Sequence, residues 1–193
     1  MKTIDITPQQ MAARTARFAS LQPYSQQQSA ANGIPTGAME MLTAHRVYPV
    51  MVPESYTGRS EKAPVRGGHN VVLTIAECPP NNGPGLHCHE TTTENFFCLS
   101  GRFKISWGDN GENSTILEPM DFVSVPPGVS RDFRNISDEL GRLFVVIETN
   151  PDEPTDRIAY SPSLGTEVVD RFGAETRSRL EEIGFKFNAG QPE

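Results

Sequence analysis

The chain has 193 residues, enough for one domain with a sizeable core, and a formal net charge of −7. It contains no basic block, which argues against nucleic acid as a partner, and no run of 18 apolar residues that would make a membrane-spanning helix. Its 16 Gly and 16 Pro, set among short apolar runs, point to a β fold with many turns.

The first ten residues, MKTIDITPQQ, lack an apolar core and are not expected to act as a signal peptide. Three cysteines (Cys78, Cys88 and Cys98) without a secretion signal fit free thiols in a reducing compartment, so the expected location is cytoplasmic. Thr7-Pro8 reads as the N-cap and first position of a helix carrying Met11, Ala12, Thr15, Phe18 and Ala19 on one stripe and ending near Ser20. Residues 21–40 are polar and rich in Gln, Ser and Gly, the composition of an arm or long loop ordered by a partner subunit.

Strands are expected at 44–52, 69–78, 85–90, 94–100, 102–108, 114–118, 121–126, 130–136 and 142–149. Turn clusters separate them: PPNNGPG, GDNGEN, PPG and SDELG. Short strands so closely spaced indicate a sandwich or barrel. After Thr149 the chain becomes polar, and helices are expected at about 165–172 and 174–184, with Val168, Val169, Phe172, Leu180, Ile183 and Phe185 as a packing stripe. The expected organisation is a single domain over 1–193, with a helix and arm at 1–43, a barrel at 44–149 and a helical tail at 150–193.

The chemistry concentrates in HCHETTTENFFCLSG, residues 87–101. Alternation along a strand sends His87 and His89 to one face and Cys88 to the other. Glu94 opens the next strand and can reach the same pocket. Two neutral imidazoles and one carboxylate suit a divalent metal with open positions, with Fe(II) favoured and Mn, Ni, Zn or Cu also served. The competing reading, a coincidental pair of histidines with a solvated Glu94, is disfavoured by Gly101 and the surrounding turns. Cys98 shares the parity of Glu94 and Phe96 and is expected to face the interior; His45 and His69 are not expected to be ligands. Some of Phe96, Trp107 and Phe133 could line an apolar pocket.

From His87 to Gly101 the spacing resembles the first motif of the cupin superfamily, with Asn81 standing where that motif has a leading Gly. Residues 118–135, EPMDFVSVPPGVSRDFRN, resemble its second motif. Pro126, Gly128 and Asn135 match, Met120 replaces a Gly, and Arg131 takes the place of the fourth metal ligand, a His. The resemblance, to single-domain members of the quercetin-dioxygenase-like group, implies an all-β double-stranded β-helix (a jelly-roll barrel) with the metal in its mouth. It also implies pairing of barrels, so a homodimer is expected.

A guanidinium offers donors only and cannot ligate a metal. Three arrangements follow. His87, His89 and Glu94 bind metal alone while Arg131 clamps an anionic substrate; or Arg131 pairs with Glu94 and the barrel is metal-free; or Arg131 turns to solvent. The first is preferred, because Arg grips carboxylates through two parallel hydrogen bonds. Two function classes remain open. One is a metal-dependent enzyme of dioxygenase type on a small, anionic organic substrate, with Glu94 and Arg131 as catalytic groups. The other is a non-catalytic small-molecule-binding or sensory cupin, with a cupin isomerase as a further alternative.

Overall fold

The computed structural model describes residues 1–67, 70–149 and 157–191. In chain order its strands are β1 (Arg46–Val52), β2 (Val65–Arg66), β3 (Val71–Cys78), β4 (His87–His89), β5 (Thr93–Ser100) and β6 (Phe103–Trp107). They continue as β7 (Asn113–Leu117), β8 (Phe122–Val125), β9 (Ser130–Asn135), β10 (Gly141–Glu148), β11 (Ile158–Tyr160) and β12 (Phe185–Lys186). Its helices are α1 (Pro8–Ala12), α2 (Tyr24–Asn32), α3 (Thr36–Leu42), α4 (Pro162–Phe172) and α5 (Ala174–Glu182).

The strands form two six-stranded sheets, ordered β2-β1-β3-β10-β5-β8 and β12-β11-β4-β9-β6-β7. Consecutive strands repeatedly fall in opposite sheets, the winding of a jelly roll. Phe96, Cys98, Phe103, Ile105, Phe133, Leu143 and Val145 fill the space between the sheets. Period-two alternation sets which residues enter it: along β9, Arg131, Phe133 and Asn135 are buried while Arg134 is exposed.

Turn chemistry closes the barrel. Gly101, at the turn between β5 and β6, has φ +80°, and a Cβ there would lie 2.8 Å from the Gly141 Cα. Asn135 supports the same corner: its Nδ2 donates to the Cys78 and Glu139 carbonyls at 2.8 and 2.7 Å, and its Oδ1 accepts from the Ser137 N–H at 3.0 Å. Asn81 and Met120, which stand where the resembling motifs carry glycine, keep positive φ values of 60° and 79°. The backbone of both turns is therefore retained without the glycine.

The nine strands expected between 44 and 149 all form, with ends shifted by one or two residues. Three expectations differ. The first helix stops at Ala12 rather than Ser20; it has a Thr7–Gln10 capping box but buries no residue, so nothing in the packing prolongs it. Phe18 instead sits against Tyr48, with ring centroids 5.0 Å apart. The segment 21–40 is not an open arm. It folds into α2 and α3, broken at Gly33 (φ 63°), and buries Ile34, Ala38, Met39 and Leu42 completely. The tail is not purely helical either: β11 and β12 extend the second sheet beyond β4, and Val168, Leu180 and Phe185 join the α2–α3 residues in one cluster. His69 lies outside the described residues.

Candidate metal centre

His87 and His89 project from β4, in the middle of the second sheet, where His87 pairs with Arg131 on one side and Tyr160 on the other. Glu94 projects from β5 in the opposite sheet. The three side chains meet across the inter-sheet space. The His87 and His89 Nε2 atoms lie 3.9 and 3.7 Å from Glu94 Oε2. The three candidate ligand atoms are all within 4.8 Å of one another, and all three residues are buried. Cys88 projects away from them, and Cys98 is packed in the core, as strand parity requires. His45 stands apart, beside Glu40 at 3.4 Å.

The outer nitrogens fix the rings. His87 Nδ1 lies 2.8 Å from the Gly85 carbonyl, which can only accept, so Nδ1 carries the proton and the Nε2 lone pair faces Glu94. His89 Nδ1 lies 3.0 Å from the Thr92 hydroxyl. Burial, reinforced by the charges of Arg131 and His89, pushes the His87 pKa down to about 3, so the ring is neutral, the form that ligates metal. Burial alone would raise the Glu94 pKa. The His89 ring, the Arg131 guanidinium and the His87 ring outweigh it, together with the hydrogen bond from Arg131, and hold the carboxyl below the ordinary carboxylate range.

Arg131 is completely buried, which excludes the solvent-facing arrangement. Its Nε donates to Glu94 Oε2 at 3.1 Å and its Nη1 to the Val129 carbonyl at 3.1 Å; Nη2 has no partner among the described residues. The expected clamp on substrate is not the geometry found. Arg131 binds Glu94 and is absent from the cavity wall, because strand β9 places its guanidinium behind the carboxylate.

The donor set suits a divalent cation. Two ligand atoms about 2.1 Å from one ion and at right angles lie about 3 Å apart. The two His–Glu94 separations of 3.9 and 3.7 Å exceed that by less than 1 Å, and all three ligand atoms lie within 4.8 Å of one another. The Arg131 charge on Glu94 opposes metal binding, since it competes with the cation for the same oxygen.

His87, His89 and Glu94 line a cavity of about 90 Å³. Its apolar wall includes Val72, Phe133, Val145 and Ile147, so of the three aromatic residues expected as lining candidates only Phe133 serves. Three further residues of the wall were not anticipated from sequence. Tyr24 comes from the segment read as an arm, Arg59 from the connection between β1 and β2, and Tyr160 from a three-residue strand. The Tyr160 ring lies 5.3 Å from the His87 ring, and its hydroxyl donates to the Leu42 carbonyl at 2.6 Å. Burial raises the Tyr160 pKa well above its ordinary value and that of Tyr24 to about 12.

Residues 74–147 match the family described as "Cupin domain", a span holding all three candidate ligands and Arg131. Over these residues the barrel is thus a cupin domain. Among solved structures, a cupin-superfamily sugar phosphate isomerase from Silicibacter pomeroyi shares 17% identity over 65% of this chain and 69% of its own, with a TM-score of 0.44. The Schizosaccharomyces pombe Cnp3 cupin domain shares 14% over 55% and 67%, with a TM-score of 0.43. A protein described as a predicted oxalate decarboxylase from Thermotoga maritima shares 23% over 41% and 66%, with a TM-score of 0.38. No curated protein matches the chain. Among the described residues no helix is long and apolar enough to cross a membrane.

Proposed function

We propose that this cupin is a metal-dependent oxidoreductase of dioxygenase type, acting on a small anionic organic substrate inside the barrel, with His87, His89 and Glu94 as ligands to Fe(II) or a similar divalent ion. The observation that carries the reading is the convergence of two imidazole Nε2 atoms on Glu94 Oε2 at the wall of a cavity. Bound there, such an ion supplies open coordination positions and, when redox-active, a route for electrons to dioxygen. The protein supplies the rest. The Gly85 carbonyl keeps the proton on His87 Nδ1, and Arg131 fixes the orientation of the Glu94 carboxylate. The apolar wall around Val145 and Ile147 excludes water from the reacting end of the substrate. In this reading the chain works as a cytoplasmic homodimer.

A second reading is a non-catalytic cupin that holds a small acid. The Arg131–Glu94 pair favours it, because it neutralises the carboxylate without a metal. Expression in metal-supplemented medium, elemental analysis, and oxygen uptake with a panel of small phenolic and keto acids separate the two. The enzyme reading expects bound redox-active metal and uptake with at least one acid. Metal without turnover on any panel member, combined with tight binding of one, gives the second reading instead.

A further inference from the structure

The cavity wall carries two charged side chains among the described residues, Glu94 and Arg59. The Glu94 charge is already compensated by Arg131. Arg59 makes no ion pair among the described residues. Its guanidinium carbon lies 5.0 Å from the centroid of the Phe185 ring, and its Nη1 donates to the Ile183 carbonyl at 3.4 Å. A guanidinium has five N–H donors in a planar fork. Backing one on an aromatic face and one carbonyl leaves most of that fork available. The loop that carries it is tied down as well: the Arg59 carbonyl accepts from Gln28 Nε2 of α2 at 3.4 Å, and Ser60 and Tyr56 line the cavity beside it.

We infer that Arg59 is the anion-recognising residue of this cavity and that its ligand is a small monocarboxylate, an inference that rests on the proposed reading of the cavity as a substrate chamber. Of the two charged side chains on the wall, the one without an ion pair among the described residues is positive, and a guanidinium has the geometry that fits a carboxylate. Arg131, the guanidinium that the motif pattern singles out, is spent on Glu94 and lies off the wall. Size bounds the ligand. An engineered cavity of about 150 Å³ admits benzene; this one is about 90 Å³, room for an acid of a few heavy atoms or for the acid end of a longer one. A carboxylate held at Arg59 keeps the remainder of the molecule in the same cavity as His87, His89 and Glu94.

The test uses full-length protein, with and without chelator treatment, and three matched pairs of probes: acetate, pyruvate and benzoate against their neutral amides. Ligand-observed NMR reads the affinities. At least one acid should bind about ten-fold or more tightly than its amide, as charge-assisted hydrogen bonds require. Arg59→Gln should abolish that preference, and Arg59→Lys, which keeps the charge but not the fork, should retain only part of it. The preference should survive metal removal, because Arg59 holds the acid without help from an ion. Equal binding of acids and amides in every pair overturns the inference. So does a preference that persists in Arg59→Gln, disappears on chelation, or is lost only in Arg131→Gln. Elemental analysis of the same samples reads the enzyme proposal separately. A metal-free protein that keeps its Arg59-dependent preference sinks that proposal and leaves this one standing.

Discussion

Glu94 Oε2 serves three neighbours at once: His87 Nε2 at 3.9 Å, His89 Nε2 at 3.7 Å and Arg131 Nε at 3.1 Å. This cluster makes the barrel sensitive to acid. The His87 ring titrates near 6.5 when exposed and near 3 in the barrel, so the unfolded chain takes up its proton first as pH falls. Stability should therefore decline from about pH 6.5 downward, by up to about 1.4 kcal/mol per pH unit. Glu94 adds to the loss at lower pH: its folded pKa is depressed, so its contribution disappears as pH falls through that value. Thermal melts of metal-free protein should show a falling melting temperature between about pH 7 and 5, with a flatter profile in His87→Asn; an unchanged melting temperature over that range contradicts it. A second site makes the opposite kind of prediction. Met120 is 72% exposed with φ +79°, a conformation that costs an L side chain about 1 kcal/mol. Met120→Gly should raise the melting temperature by about 2–4 °C. The convergence of His87, His89 and Glu94 was legible in the sequence because strand parity and motif spacing both bear on it. The Arg131–Glu94 pair was one of three arrangements the sequence allowed but not the preferred one, because parity places a side chain on a face and says nothing about which of two anions it meets there.

At the scale of elements, the barrel strands were legible and the segments flanking them were not. Strands such as β9 and β10 alternate buried with less buried residues over six positions, a pattern long enough to read. Helices α2 and α3 bury few residues within a Gln- and Ser-rich stretch, and β11 and β12 are three and two residues long, too short for any period. Yet these pieces finish the cavity. Tyr160 of β11 stands beside His87, and Leu180, fully buried on α5, belongs to the cluster that holds Tyr160 and Phe185 in place. Leu180→Ala should cost about 2–5 kcal/mol by denaturant unfolding. It should also weaken acid binding, since Phe185 backs Arg59. A loss below 1 kcal/mol would mean that the helical layer contributes little to the barrel.

For the whole molecule, the two sheets divide the labour: one contributes both imidazoles, the other the carboxylate, and the cavity forms where they face each other. The homodimer proposed above no longer rests on a free N-terminal arm, because that segment covers its own barrel. It rests on the outer strands β7 and β8, the last in each sheet, which with the turn between them expose Ile116, Met120 and Phe122. Sedimentation at micromolar concentration should give twice the chain mass; monomer alone counts against pairing. His87, His89 and Glu94 are expected to hold a divalent ion despite Arg131. Calorimetric titration of Mn(II) into chelator-stripped protein measures this binding. One saturable site per chain is expected, lost in His89→Ala and tightened about ten-fold or more in Arg131→His, which supplies a fourth nitrogen in place of a competing cation. No saturable binding, or binding that survives His89→Ala unchanged, would contradict it.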